Sequence, residues 1–446
     1  MAGLLGSLHS AKTGMNVSQT SIQTTSHNIN NMNTPGYSRQ RVEQSAKSAY
    51  SNPGFNSSLG AGQLGTGVEA TNVIRIRNTF YDFQFRSESH NYGQTSVKYE
   101  YYKNMESIFN EPSDTAISSS LNNFFNSWHE LSKDPNNVGA KNVVIESSKY
   151  LANNISQVYK KLDNLQTNLD KQFNETIKDI KGMLDELEEL DKNIKIVEGS
   201  GKTPNDLLDD RDRILDELSF KIDLNSEDGK KVLDKIKNGD PITDDDKKML
   251  ANTSGELSGL VKMNDELDNY KDQLKILANG IADSVNTIYK DTDGDGILSE
   301  EEKNAKPDLF KKWEKDGDSI LSVNGDIEKD PSLLEMTSDI ATQMYNLKDK
   351  KIELGEDPNK VEMTINNFYN NTIQTLGEAS KAAIKDESNQ SKLLTSIDTS
   401  RSSISGVSLD EEMVSLIQFQ HAYNASAKVV STIDSLLDVV INGLKR

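Results

Sequence analysis

Two apolar seams, one at each end of the chain, constrain the fold most. Leu4, Leu8, Ala11, Met15, Ser18, Ile22, Thr25, Ile29 and Met32 follow one another at steps of four and three. Leu409, Met413, Leu416, Gln420, Tyr423, Ala427, Val430, Asp434, Leu437, Ile441 and Leu444 repeat the pattern at the other end. An apolar period of 3.5 residues makes a helix bury its stripe against another helix. Terminal residues of ordinary domains fray unless something ties them down. Matched seams therefore predict that the two terminal helices pair as a coaxial coiled coil and pack against further copies or neighbours.

Charge removes whole classes of function. A net charge of −20 over 446 residues argues against nucleic acid, whose phosphates are drawn to clustered Lys and Arg. It argues equally against an anionic membrane surface. There is no cysteine, so disulfides, thiolate chemistry and the usual zinc cages are excluded. No apolar run is long enough to span a bilayer as a helix. Residues 1–14 lack the positive start, apolar core and cleavage site of a secretory leader. Work outside the cell would then require an export route that reads no cleavable leader.

Between the seams the pattern is helical. Residues 36–67 are rich in Gly, Ser and Asn and read as loop or extended chain. Helices are expected over about 94–109, stopped by Glu111-Pro112, and over 116–131. The longest element follows. Ile155, Val158, Leu162, Leu165 and Leu169 form one stripe, which Phe173, Ile177, Ile180, Leu184, Leu187 and Ile194 continue after a four-residue step, a stutter that locally unwinds a coiled coil. Such a helix over about 142–197 would be roughly 80 Å long; two helices bent near Asp170 are the alternative. Pro204 starts another, with Leu207, Leu208, Ile214, Leu215 and Leu218 as its apolar positions. Residues 221–252 are densely charged with few apolar anchors and read as a small surface insertion. Helix resumes at 258–289, 331–347 and 361–404.

The fold expected is mainly α: paired terminal helices (residues 1–45 and 401–446), an extended connector (46–92), an elongated helical-bundle middle domain (93–220 and 253–400) with minor β, and a reduced outer insertion (221–252).

Chemical motifs are sparse. The Gly-Ser-Gly-Lys-Thr run at 199–203 mimics the end of a phosphate-binding loop, but that motif needs a glycine where Ile196 stands. The five histidines are scattered without metal-ligand spacing, and no Gly-x-Ser-x-Gly elbow is present. No enzyme is expected. Residues 291–302 are more specific. Asp291, Asp293 and Asp295 stand at positions one, three and five of a calcium loop, with Gly296 at the sharp turn. Ile297 offers a carbonyl at seven, Ser299 stands at nine, and Glu302 can bind bidentately at twelve. Pro307 cuts the exit helix short, and no second loop pairs with it. A structural Ca2+ site and a polar connector that never holds an ion both remain open; no other cofactor is called for.

Read residue by residue, the ends become specific. Residues 26–42 (SHNINNMNTPGYSRQRV) resemble the signature after the first helix of the bacterial flagellar axial proteins. Asn31, Thr34, Pro35, Gly36 and Tyr37 supply its Asn-x-x-Thr-Pro-Gly-Tyr core. The continuation Ser38-Arg39-Gln40 is similar to the hook-associated family within that group. Residues 204–219 (PNDLLDDRDRILDELS) and 408–441, with Gln418, Gln420, Ala422, Tyr423, Ala425 and Ala427, resemble the same family. The resemblance implies a non-catalytic subunit of the bacterial flagellum, set in a ring between hook and filament. Its implied partners are copies of itself, hook protein, a second junction protein (hook-associated protein 3) and an export chaperone on the C-terminal helix. Its implied location is extracellular, reached through the flagellar type III apparatus. Another axial component, or a calcium-binding structural protein, is the alternative.

Overall fold

The computed structural model of the chain describes residues 2–48, 65–291, 298–312, 319–355 and 360–442. In chain order they form α1 (Ala2–Asn30), β1 (Gln40–Ala46), β2 (Val68–Arg75), α2 (Thr79–Phe109), α3 (Ile117–Lys133), α4 (Val138–Gly199), α5 (Asn205–Lys221), α6 (Glu227–Asn238), α7 (Asp244–Ala251) and α8 (Glu256–Lys290). Then come α9 (Glu300–Ala305), β3 (Phe310–Lys312), β4 (Leu321–Val323), α10 (Gly325–Lys329), a 3-10 turn (Pro331–Leu333), α11 (Ser338–Asn346), β5 (Ile352–Leu354), β6 (Val361–Met363), α12 (Ile365–Ser405) and α13 (Leu409–Asn442). The fold is mainly α; β1 with β2, β3 with β4 and β5 with β6 form antiparallel hairpins.

The chain divides into two compact units. The first holds residues 1–90, 179–241 and 391–446; the second holds 91–178 and 242–390. In the second unit the core is aromatic and aliphatic. Phe124 and Trp128 of α3 meet edge to face with ring centroids 6.1 Å apart, and Phe109 meets Tyr270 of α8 at 6.2 Å. Ile155 and Leu162 of α4, Leu274 and Ile281 of α8 and Tyr369 of α12 are buried. Ala116 offers α3 no side-chain cap. Glu111 substitutes for it, accepting from Ser118 N–H at 3.1 Å and Ser118 Oγ at 2.7 Å.

Observed boundaries differ from the expected ones in three places. The expected terminal segment 1–45 ends in β1, and the expected connector 46–92 contains its partner β2 and the first turns of α2, which runs unbroken from Thr79. Its one internal glycine, Gly93, is a breaker of only about 1 kcal/mol. Residues 179–220 group with the terminal helices rather than with the middle domain, through charge pairs that apolar periodicity does not register. Residues 221–252, read as a small charged surface insertion, carry the two short helices α6 and α7. Ser226 caps α6, Thr243 and Asp246 form a capping box on α7, and Val232, Ile236 and Leu250 are buried. Caps of this kind stabilise a helix by about 1 kcal/mol each, enough to offset a modest apolar face.

In the first unit α1 and α13 run antiparallel. Gly14 lies against Ser426, where a Cβ would come within 3.3 Å of Oγ, and Asn28 reaches Glu412. The face that α13 turns inward is Glu412, Leu416, Phe419, Tyr423, Ser426, Val430, Ile433, Leu437 and Val440, again at steps of four and three. Of the predicted seam, Leu416, Tyr423, Val430 and Leu437 belong to this face, with Ala427 half-buried beside it, whereas Leu409, Met413 and Ile441 are exposed. The reason is polar. The predicted register would bury Gln420 and Asp434, and the observed one places Phe419 and Ile433 there instead; an unpaired buried carboxylate is costly. On α1 the most buried positions are Val17, Ser18, Ser21, Thr25 and Asn28, while Leu4, Leu8, Ala11, Met15, Ile22 and Ile29 are half-buried.

Candidate assembly site

The end of α1 is a built turn. Thr34 N–H donates to the Asn31 carbonyl at 2.9 Å, and Tyr37 N–H donates to the Thr34 carbonyl at 3.2 Å. Pro35 presets its own φ, and Gly36 sits at φ +81°, the pattern of a type II turn. Asn31 Nδ2 donates back to the His27 carbonyl at 3.0 Å, closing the helix. A Cβ on Gly36 would also meet Arg213 Cβ at 3.3 Å. Gly36→Ala is therefore expected to destabilise the first unit by about 1–2 kcal/mol, read as a lowered urea midpoint.

The turn delivers Tyr37 to Asn28. Tyr37 OH donates to Asn28 Oδ1 at 2.8 Å and lies 3.0 Å from His27 Nδ1. Burial first, then the carboxylates of Asp206, Asp209 and Glu412, raises the Tyr37 phenol far above its usual range. Asn28 is buried and fully satisfied. Its Oδ1 also accepts from Gln40 N–H at 2.9 Å, and its Nδ2 donates to the Gln40 carbonyl at 2.9 Å and to Glu412 Oε2 at 3.0 Å. One amide thus holds the start of β1, the turn and α13 together. Arg39 repeats the link: its Nε donates to Glu412 Oε1 at 2.6 Å and its Nη1 to Glu411 Oε2 at 2.8 Å.

On α5, Asn205, Asp209, Asp212 and Asp216 fall at steps of four, three and four, so one helical face carries them all. Ser38 N–H and Oγ donate to the two oxygens of Asp209 at 2.9 and 2.7 Å. Gln40 Nε2 donates to Asp206 Oδ1 at 2.8 Å, and Asn205 Nδ2 donates to the Val73 carbonyl at 2.7 Å. Arg75 Nη1 donates to Asp209 at 2.7 Å and Asp212 at 2.9 Å. Arg86 bridges Asp216 at 2.6 Å and Asp212 at 2.9 Å. Arg77 donates to Asp82 at 2.8 Å, and Arg401 of α12 donates to Asp216 at 2.6 Å. Four arginines and four aspartates balance one another, with no side chain more than 20 % exposed. Burial alone would raise the Asp212 carboxyl, but Arg77, Arg86 and Arg75 outweigh it and hold it below the usual carboxylate range. Burial likewise opposes charge on Arg77 and Arg86, and the neighbouring carboxylates more than reverse that.

Three sequence-distant motifs therefore meet in one node: the Asn31–Tyr37 turn with its Ser-Arg-Gln continuation, the α5 segment, and the start of α13. Asn28, Arg75, Arg77, Arg86 and Arg401 were not singled out in the sequence. The acidic spacing on α5 was the available signal, because a heptad-like row of acids on a partly apolar helix asks for basic partners.

Other marked segments play local roles. In the calcium-like loop, Asp293, Asp295 and Ile297 lie outside the described residues. Asp291 is the buried C-cap of α8. Ser299 and Glu302 form the capping box of α9, with Glu302 Oε2 accepting from Ser299 N–H at 3.0 Å, a pairing that Ser-x-x-Glu makes with or without an ion. No group of three or more His, Asp or Glu among the described residues is arranged to hold a metal. At 199–203, Gly201 is left-handed and Thr203 Oγ1 donates to Asn72 Oδ1 at 2.9 Å, making a helix-ending turn.

Known proteins match at both ends and in the middle. The family described as flagellar hook-associated protein FlgK helical domain matches residues 102–249. Those described as flagellar basal body rod FlgEFG protein C-terminal and flagella basal body rod protein match 390–443 and 8–37. Flagellar hook-associated protein 1 of Bacillus subtilis (strain 168) is 31 % identical over 501 residues, covering 98 % of each chain. Its namesake from Salmonella typhimurium is 24 % identical over 562 residues, covering 98 % of this chain and 99 % of its own. Among solved structures, the flagellar hook junction protein FlgK from Burkholderia pseudomallei matches with a TM-score of 0.37 at 18 % identity, covering 46 % of this chain and 43 % of that one.

Proposed function

The chain belongs to the flagellar hook-associated protein 1 family, and from that premise we propose a purely mechanical role: it accepts the hook on one side and templates the filament on the other. It is a structural component of the flagellum at the hook–filament junction. Its copies form a ring whose inner layer is the α1/α13 pair, beside hook protein below and hook-associated protein 3 above. Export runs through the flagellar type III apparatus, with a chaperone on the C-terminal helix beforehand, and the assembled protein is extracellular. The alignment to the Bacillus subtilis protein runs over 501 residues against 446 here, so that relative carries segments this chain lacks, in keeping with a reduced outer domain.

One observation supports the mechanical reading above others. The turn motif, the α5 motif and the base of α13 converge on a single balanced ionic node, which makes the exit of the terminal helix pair rigid rather than jointed. Rigidity there is what a subunit needs to carry torque from one partner to the next, and no catalytic role is assigned to it. A deletion strain is expected to assemble hooks without filaments while secreting filament protein into the medium, with the full chain restoring filaments. Normal filaments on the deletion strain would overturn the proposal.

A further inference from the structure

In the second unit, a groove of about 350 Å³ lies between α4 and the end of α2. On α4, Tyr150, Asn154, Gln157 and Lys161 line it at steps of four, three and four, with Asn153 beside them, so one helical face carries them all. Asn110 and Thr115 line it from the end of α2 and the loop that follows, and Phe109 and Val158, both buried, supply apolar surface. Asn154 holds the two sides together: its Nδ2 donates to the Thr115 carbonyl at 2.8 Å and to Ser120 Oγ at 2.9 Å. Asn110 stands at φ +50°, where glycine would cost less; asparagine adds an amide to the groove. The amides of Asn153 and Gln157 have no partner among the described residues, and Tyr150 is 48 % exposed.

The lining narrows the occupant by elimination. One ammonium, Lys161, and no guanidinium give an anion no fork to bind. No carboxylate lines the groove for a cation; Glu111, next to Asn110 in the chain, is committed to Ser118 and Tyr369. An apolar ligand would strip water from the amides without replacing its hydrogen bonds. Peptides are taken by a sheet edge, an apolar or aromatic-lined groove, or a charge cluster, and these helices and their loop supply none of them. A neutral ligand dense in hydroxyls remains. Each carboxamide offers donors and an acceptor together, which matches hydroxyls that both give and accept hydrogen bonds, and the Tyr150 ring offers a flat face to the C–H face of a pyranose. We propose that this groove binds a linear neutral oligosaccharide, with one ring stacked on Tyr150 and the next hydrogen-bonded by Asn153 and Gln157. The two free amides stand one helical turn apart, about 5.4 Å, on the scale of a single pyranose ring. This binding is independent of the junction role.

Saturation-transfer NMR on the purified full chain tests it, with chitotetraose, cellotetraose and maltotetraose as probes at several millimolar. At least one of the three is expected to show transfer to its ring C–H protons. Tyr150→Ala and Gln157→Ala should each cut that transfer at least fivefold while keeping the parent's melting midpoint, since both side chains are exposed. Tyr150→Phe should retain most of it, because the ring and not the hydroxyl does the stacking. Of the three probes only chitotetraose carries the N-acetyl groups of wall-type glycan, so a response to it alone assigns that source, and a response to the unacetylated pair assigns a glucan-type chain. No transfer from any of the three would overturn the site and leave the junction role standing. So would transfer that survives Tyr150→Ala undiminished, or equal transfer to an uncharged Gly-Ser tetrapeptide.

Discussion

Replacing Asp212 by asparagine is expected to cost about 3–5 kcal/mol and to melt the first unit ahead of the second, because it leaves buried arginines short of one negative charge. The carboxylate accepts from Arg75 and Arg86, both at 2.9 Å, and lies 3.5 Å from Arg77. Asparagine keeps the shape but not the charge. The pH dependence follows in sign. The folded pKa of Asp212 is lowered, so its contribution is complete above the unfolded value of about 3.9 and is lost as pH falls through the folded value. Parent and variant should differ fully at neutral pH and converge only as pH falls from about 4 through the lowered folded value. Hydrogen exchange read by mass spectrometry localises the effect: residues 34–46, 68–77 and 205–221 should lose protection, with the Trp128 helix at 117–133 as internal control. Equal stability of parent and variant at pH 7 would mean that the node is decorative.

Ile433→Asp and Val439→Asp should both stop filament assembly, for different reasons. Ile433 is 6 % exposed on the inward face of α13. A carboxylate there is buried without a partner and should cost on the order of 3 kcal/mol, separating α13 from α1 in the isolated chain. Val439 is 64 % exposed and belongs with Val414, Ile417, Val429 and Leu436 to an apolar stripe that the pair leaves uncovered. Its replacement should change stability by no more than about 0.5 kcal/mol, yet block incorporation if neighbours cover that stripe. Lys428→Gln, off the inward face, should leave stability unchanged. Motility of the complemented deletion strain, set beside exchange of residues 2–30 and 409–442 in the purified protein, separates the outcomes. Filaments assembled normally by Val439→Asp would remove the stripe from the interface.

Much of this was legible before any coordinates. Period alone located α1, α4 and α13, because an apolar stripe repeating every three or four residues has only one local solution. The Thr-Pro-Gly-Tyr turn was equally readable: proline presets φ, and only glycine enters the left-handed region cheaply. The register of α13 was within reach as well. Stepping the seam back by one residue at two places exchanges Gln420 and Asp434 for Phe419 and Ile433, and burial favours the second set. The capping boxes of α7 and α9 were written in Thr-x-x-Asp and Ser-x-x-Glu but stood unread, and with the first of them the helical character of residues 244–251 was missed.

By itself, the sequence determined the helices, their caps and turns, and the family, since each depends on residues a few positions apart. Only the tertiary structure decided which charges are buried. Arg75, Arg77, Arg86 and Arg401 look like surface arginines in the chain, and Asp209 and Asp212 look like part of a solvated acidic face. They become a node because folding brings together groups that stand more than a hundred residues apart. A charge's worth depends on its distance to a partner and on the water excluded around it, and neither quantity exists until the chain has closed on itself.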